Sequence, residues 1–319
     1  MINQTASLVI RSSNERTIEL CEKLIIEQGI KKDNIFLVSE VPFSATMKKS
    51  FEIGISNKLP WTFCVDADVL LRPGSIEYLL KIASDLPEKV CEIQSMMLDK
   101  FFCGPRPGGI HLYRTSLLPE VLKRIPPEGT DIRPEFHTLK KMEADGYPYI
   151  KVPYIVGIHD YEQYNFDVYR KCYVHGIKHL KHSEMLVTIW KEFEETDPDY
   201  KVALRAFADS ILNPDQVYIN SDQKIYHELF NKSGFNEKDP LDISLFSLGK
   251  IETIINTWKE PEAYMKKFPT RWGLDNPQAV KKVRDMIKGR GVFRTATFIF
   301  GKAITETGNY IIKLSKHKR

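Results

Sequence analysis

The chain has 319 residues, of which 42% are hydrophobic and 28% charged, a composition typical of a folded globular protein. This balance excludes fibrous and disordered classes. The formal net charge of +4 is a mild surplus that suits anionic ligands such as nucleotides, phosphates or acidic lipid. It does not indicate nucleic-acid binding, so we expect no nucleic-acid partner.

The chain shows no sign of secretion or membrane insertion. Its five cysteines are scattered, without the C-x-x-C spacing of a zinc site or the density of a disulfide scaffold. The N-terminus lacks a signal-peptide pattern, and the sequence contains no apolar run of about 18 residues. These features predict a cytoplasmic protein with reduced thiols.

Short apolar runs alternate with helical patterns along the first half of the chain, which is the pattern of an α/β fold. The predicted strands cover residues 7–12, 34–40, 61–71, 90–98, 109–114 and 150–158, and the predicted helices cover 15–29, 44–57 and 75–84. The loop FFCGPRPGG lies between two of these strands and is a candidate substrate-binding lip. Its Arg106 is a candidate phosphate or acceptor contact, with an exposed loop arginine as the alternative.

After about residue 165 the pattern becomes mainly helical, interrupted by Asp-Pro and Asn-Pro breaks. We therefore predict two regions, an α/β domain over 1–165 and a helical region over 166–319. The final residues combine apolar positions with a basic end, Lys313, Lys316, Lys318 and Arg319. This end has three interpretations, namely a packed last helix, a homo-oligomer contact and a peripheral contact with anionic lipid.

Two carboxylates, Asp66 and Asp68, follow the third predicted strand. Ligand sites in open α/β sheets lie beyond the carboxyl ends of strands. Uncompensated carboxylates are costly to bury there, and a hard divalent cation would relieve that cost. The alternative is a solvated strand end. The D-x-D spacing thus predicts a metal and phosphate site.

Four segments occur together in order: IRSSNER, VDADVLLRPGS, PGGIHLYRTSLL and PEFHTLKKMEADGYPYIKVP. Together they resemble family-2-type glycosyltransferases of the GT-A fold, over about residues 7–160. The turn from Arg11 to Arg16 resembles the end of the family's first strand, and Asp66-Ala67-Asp68 matches its D-x-D motif. The resemblance implies a GT-A, Rossmann-like nucleotide-sugar-binding domain and a transferase of the hexosyl type.

The resemblance also implies a metal centre and a base. Asp66 and Asp68 would hold Mn²⁺ or Mg²⁺ against the donor diphosphate, and His159 after a late strand would complete the ligands. A surface or core histidine is the alternative for His159. Glu135 is the candidate general base of an inverting displacement, and a solvated helix-start carboxylate is its alternative. The family usually has two adjacent acidic residues here, whereas this chain has Glu135-Phe136.

Donor and acceptor contacts follow from the same resemblance. The donor-binding candidates are Arg11, Ser13, Glu40, Lys49 and Asp66, and the acceptor-side candidates are Gly108, Gly109 and Arg114. The implied partners are a nucleotide-sugar donor and a saccharide or lipid-linked acceptor, in the assembly of surface glycans or lipid-linked saccharides.

His175, His179 and His182 share one face of a later predicted helix. This face has two interpretations, a transition-metal site or a solvated or phosphate-facing helix.

Two other functions compete with a transferase. One is a catalytically inactive GT-A subunit that only binds sugar or nucleotide, and the other is a haloacid dehalogenase-like phosphatase with the first D-x-D aspartate as nucleophile.

Overall fold

The computed structural model describes residues 2–213 and 224–268. Seven strands form one sheet in the order β2-β1-β3-β6-β5-β7-β4. The strands are β1 (Ala6–Arg11), β2 (Ile35–Val38), β3 (Trp61–Asp66), β4 (Val69–Leu71), β5 (Glu92–Asp99), β6 (Gly104–Arg114) and β7 (Tyr149–His159).

Helices cover the sheet and extend beyond it. They are α1 (Ile18–Glu27), α2 (Phe43–Asn57), α3 (Ser75–Ala83), α4 (Leu118–Leu122), α5 (Pro134–Ala144), α6 (Asn165–Lys178), α7 (Ser183–Phe193), α8 (Asp199–Leu212), α9 (Lys224–Ser233), α10 (Leu248–Thr257) and α11 (Glu262–Lys267). The α/β fold followed by a mainly helical region is therefore confirmed.

The central strands are buried on both faces because helices cover both sides of the sheet. Ile10 and Val65 pack in one core with α1 and α3, whereas Val9 and Cys64 face a second core with α2, α4 and α5. Strands buried on both faces are expected to be almost continuously apolar. The sequence of β1 and β3 has this character, which is why both were predictable.

The predicted strand 61–71 is in fact two strands. β3 ends at Asp66, where the amide of Ala67 donates to the carbonyl of Arg11. The chain then leaves the centre of the sheet, and β4 pairs antiparallel with β7 at the far edge, with Val69 opposite His159. The break lies inside the D-x-D motif, so the two carboxylates of the motif point in different directions.

The predicted loop 101–109 is shorter in the structure, because β6 already begins at Gly104. Gln94 of β5 pairs with His111, and Met96 pairs with Pro107, so one β5 residue faces three residues of β6. The extra residues form a bulge that contains Gly108 and Gly109. Bulges re-aim side chains and are common beside active sites.

The helices after residue 165 pack on the sheet domain. Phe101 to Cys103, between β5 and β6, share a core with α6, α7, α8, α9 and α11. Arg72 after β4 pairs with Glu252 of α10. The division at 165/166 stays a prediction. The basic C-terminal end and its proposed membrane or oligomer contacts lie outside the described residues.

Crossing a bilayer requires length and apolar character together. None of the helices in residues 2–213 and 224–268 combines the two.

Candidate active site

A cavity of about 390 Å³ opens at the carboxyl ends of β1 and β3 and is flanked by α5 and α6. This is the position that the fold favours for a ligand. The cavity is lined by these residues predicted from the sequence: Arg11, Ser13, Glu40, Asp66, Asp68, Gly108, Gly109, Glu135 and His159. Tertiary structure thus brings together residues from six separate segments of the chain.

Two predicted site residues lie elsewhere. Lys49 is exposed on α2 and does not line the cavity. Arg114 lies at the far end of β6, where Nε donates to the carbonyl of Val90 at 3.0 Å and the guanidinium stacks 4.4 Å from the ring centroid of Trp61. β6 runs antiparallel to β3, so Arg114 pairs with Trp61 at the end of β3 opposite to Asp66. Arg114 therefore lies outside the cavity, and its position does not support the predicted acceptor-side role.

Three buried ligands meet at the floor of the cavity. One oxygen each of Asp68 and Asp160 and one ring nitrogen of His159 lie within 4.8 Å of one another. Asp68 Oδ1 is buried without a hydrogen-bond partner within the described ranges, whereas Asp160 Oδ2 lies 2.9 Å from His159 Nδ1. Carboxylate oxygen and imidazole nitrogen together suit Mn²⁺. The residues present therefore fit a divalent cation, with Asp160 as a ligand that the sequence interpretation missed.

The ring of His159 is already oriented for metal binding. Its Nδ1 donates to Asp99 Oδ2 at 2.9 Å, and its Nε2 lies 3.5 Å from Asp68 Oδ1. A carboxylate on the second ring nitrogen is the usual support of a metal-bound histidine. Burial opposes protonation, but Asp160 and Asp68 outweigh it and raise the pKa of His159 to about 10. A bound cation would take the place of that proton.

Lys171 of α6 reaches into the same cluster. Its ammonium pairs with Asp68 Oδ2 and Asp160 Oδ1. Burial opposes the charged form of Asp160, yet His159 and Lys171 hold the pKa of its carboxyl well below the usual range. Lys171 therefore compensates the buried carboxylates and would compete with a cation for them.

Asp66 is separate from this cluster. Its Oδ1 accepts from Nε of Arg11 at 2.8 Å, and its side chain is 28% exposed to the cavity. Among the described residues the metal-type group consists of Asp68, His159 and Asp160 and leaves Asp66 out. The predicted ligand role of Asp66 is thus not supported by position, whereas its place on the cavity wall is compatible with donor binding.

Glu135, at the start of α5, is held by three donors. Arg11 Nη1 and the hydroxyl of Tyr113 both lie 2.7 Å from its Oε1, and His111 Nε2 lies 2.9 Å from its Oε2. Burial opposes the charged form, but Arg11 and His111 outweigh it and hold the pKa of Glu135 well below its ordinary value. Glu135 is therefore charged and weakly basic in this arrangement.

His111 links Glu135 to a second buried carboxylate. Its Nδ1 lies 2.8 Å from Oε1 of Glu92. Burial opposes protonation of His111, yet Glu135 and Glu92 raise its pKa to about 9. Burial also raises the pKa of Glu92 despite this pairing. Since Glu135 keeps its negative charge, it is the main group that stabilises the protonated ring of His111.

The sequence interpretation missed other cavity residues, namely Asp160, Lys171, Arg133 and Lys178. Asp160 directly follows His159, so the His-Asp pair at the end of a predicted strand was a usable signal. The lysines lie on α6, in the region predicted to be separate from the catalytic domain. Their spacing of seven residues, two turns of a helix, was the only hint.

Comparison with known proteins shows distant likeness to several solved structures. No protein-family model matches the sequence, and no curated protein matches it. A glycosyltransferase involved in glycosylation of the major capsid of PBCV-1 is 14% identical, with a TM-score of 0.34, over 46% of this chain and 82% of that one. A mannosyltransferase from Pyrobaculum calidifontis, solved with GDP-Man and Mn²⁺, is 13% identical, with a TM-score of 0.36, over 82% and 86% of the two chains. A cytidylyltransferase from Leptospira borgpetersenii is 11% identical, with a TM-score of 0.34, over 70% of this chain and all of that one. Likeness this distant assigns no activity, so function is argued from the site.

Proposed function

We propose that this chain is a metal-dependent glycosyltransferase of the hexosyl type that moves a sugar from a nucleotide-sugar donor to a hydroxyl acceptor. The observation that carries the proposal is the buried group of Asp68, His159 and Asp160 on the floor of the cavity. Its Asp68 Oδ1 is buried without a hydrogen-bond partner within the described residues, and the cavity opens at the carboxyl ends of β1 and β3.

Asp68, His159 and Asp160 would hold Mn²⁺ or Mg²⁺. When bound, the cation neutralises the charge that develops on the departing nucleoside diphosphate. Asp99 keeps the Nε2 of His159 directed at the site through its contact with Nδ1. Ser13 after β1 and Glu40 after β2 line the wall beside it, where the nucleoside would lie.

Glu135 is the proposed base of an inverting displacement. Its oxygens are engaged by Arg11, Tyr113 and His111, so an acceptor hydroxyl has to replace one of these contacts before the proton moves to Oε1 or Oε2. The charge-neutral Glu135→Gln variant keeps the shape of the side chain. We expect it to bind donor normally and to lose at least about 100-fold in turnover. Unchanged turnover would assign Glu135 to positioning Arg11 alone.

The experiment for the whole proposal is a thermal-shift screen of UDP, GDP, CMP and dTDP and their sugars, with Mn²⁺, Mg²⁺ or EDTA. Ligand that binds the native state raises the melting temperature by mass action. We expect one nucleotide series to stabilise the protein only with metal, and Asp68→Asn and Asp160→Asn to lose the effect. Asp145→Asn is the matched control, because Asp145 is half-exposed and pairs with Arg124 away from the cavity.

The alternatives give different results. Metal-dependent binding of a nucleotide sugar without any turnover would identify a catalytically inactive binding subunit. Phosphate release from a phosphomonoester, lost in Asp66→Asn, would identify a phosphatase. Assembly of surface glycans or lipid-linked saccharides at the cytoplasmic face of a membrane is the setting that we propose for the transferase.

A further inference from the structure

One part of the cavity wall is basic and lies outside the proposed metal group. It is formed by Lys178 and His179 at the end of α6, His175 one turn earlier, Arg133 before α5 and Arg106 of β6. All five side chains are basic types. An anion is the ligand that such a group would attract.

His175 is the buried member of this group. The residue is only 8% exposed. Neither of its ring nitrogens has a hydrogen-bond partner in the part of the chain that the structure describes. Burial and the charge of Arg106 lower its pKa to about 3, so the ring is neutral and offers one N–H donor. A buried polar side chain without a partner is unusual and indicates an absent ligand or water.

Lys178 and Arg133 supply charge without carboxylate partners. Neither forms a salt bridge within residues 2–213 and 224–268, and Arg133 Nη2 only approaches His179 Nδ1, at 3.4 Å. The nearby Asp131 is engaged by His137 Nδ1, at 2.8 Å. Burial, Arg133 and Arg106 lower the pKa of Lys178 to about 7. Lys178 is therefore only partly protonated near neutral pH, and a bound anion would favour its charged form.

The basic part is displaced along α6 from the metal group. Lys171 contacts Asp68 and Asp160, whereas Lys178 lies seven residues further along α6, which is about 10 Å along a helix axis. A cation that chelates a diphosphate holds both phosphates next to itself, so we assign an anion at Lys178 to the other substrate.

We propose that the group formed by His175, Lys178 and Arg133 binds a phosphate carried by the acceptor, so that the acceptor is a phosphorylated saccharide or a phospholipid-linked one. The assignment of this phosphate to an acceptor rests on the proposed transferase function, whereas the anion site itself does not depend on that function. The phosphate would accept from the Lys178 ammonium, the Arg133 guanidinium and the ring N–H of His175.

The test measures anion binding in EDTA, where the metal group is empty of cation. The probes are glucose 1-phosphate, followed by calorimetry, and phosphatidylcholine vesicles with and without phosphatidic acid, followed by sedimentation. We expect at least one phosphate probe to bind, and Lys178→Gln and Arg133→Gln each to weaken it about tenfold. Lys181→Gln is the matched control, because Lys181 is an exposed lysine three residues away and outside the cavity.

The outcomes are distinct. Binding of glucose 1-phosphate alone indicates a soluble phosphorylated acceptor, and binding of phosphatidic acid vesicles alone indicates a lipid-linked one. The proposal is overturned if neither probe binds or if Lys181→Gln weakens binding as much as Lys178→Gln. Loss of binding in Asp68→Asn under EDTA also overturns it, since the anion would then sit elsewhere. Phosphate binding without any metal-dependent nucleotide binding would refute the transferase and leave the anion site intact.

Discussion

Lys171 of α6 pairs through its ammonium with the carboxylate of Asp160, the residue that directly follows β7. A helix predicted to belong to a separate region thus places a positive charge on a carboxylate of the proposed metal group. This relationship determines how tightly the group can bind a cation and how stable the protein is without one.

Lys171→Met should strengthen Mn²⁺ binding, because it removes a cation that competes for Asp68 and Asp160. We expect the dissociation constant to fall at least about tenfold. Without metal, the uncompensated carboxylates should lower the free energy of unfolding by about 3 kcal/mol. Calorimetric titration and urea denaturation in EDTA measure the two effects. Lys201→Met, which removes only an exposed pair with Glu195, should change neither.

A weaker Mn²⁺ affinity in Lys171→Met would instead mean that Lys171 holds the ligands in place for the cation.

The stability of the protein should fall at alkaline pH through His111. Its folded pKa of about 9 lies above the ordinary histidine pKa of about 6.5, so its contribution is complete below pH 6.5 and is lost as the pH rises through 9. A shift of this size corresponds to about 3 kcal/mol of unfolding free energy. Urea denaturation between pH 6 and 10 should show this fall in the wild type.

His111→Gln is the control for that measurement, since glutamine fills similar space and does not titrate. Its stability should be lower at pH 6, and it should fall less steeply with pH than that of the wild type, because His159, whose pKa is about 10, still titrates in this range. An unchanged alkaline slope in this variant would assign the titration to another group.

Gly109→Ala should damage both stability and metal binding. Gly109 has φ +68°, and an added Cβ would lie 2.7 Å from Val69 Cγ2 and 2.8 Å from Met97 Sδ. It would also lie 3.4 Å from Cδ2 of His159, the proposed ligand. We expect the free energy of unfolding to fall by about 2–4 kcal/mol. Thermal denaturation and Mn²⁺ titration measure the two consequences.

Gly146→Ala separates the two causes of that loss. Gly146 also has a positive φ, +88°, but an added Cβ meets nothing within 4 Å. Its substitution should cost about 1 kcal/mol and leave Mn²⁺ binding unchanged. Equal losses at both positions would mean that backbone strain alone, rather than contact with the site, explains Gly109.

Arg114→Ala should lower stability without affecting substrate binding. Arg114 donates to the carbonyls of Val90, Leu86 and Pro87 and stacks on Trp61, outside the cavity. Loss of these contacts should reduce the free energy of unfolding by about 1–2 kcal/mol. Acceptor affinity that falls while the melting temperature stays unchanged would restore the acceptor role predicted from the sequence.

The sequence alone determined the α/β class and the region of the site. Apolar runs buried on both faces made β1 and β3 recognisable, and the charged residues that follow them had to lie at the carboxyl edge of the sheet. Local pattern is sufficient for such features because they depend on residues close together in the chain. The resemblance to GT-A transferases added His159, which the structure places with Asp68 on one cavity.

Tertiary structure alone decided which side chains act together. Asp68 and Asp160 become neighbours because β4 leaves β3 and pairs with β7, so that the amide of Asp160 donates to the carbonyl of Asp68. The antiparallel direction of β6 carries Arg114 away from the site, and the packing of α6 brings Lys171 into it. Strand direction and helix packing join residues far apart in sequence, and no spacing within one segment encodes them.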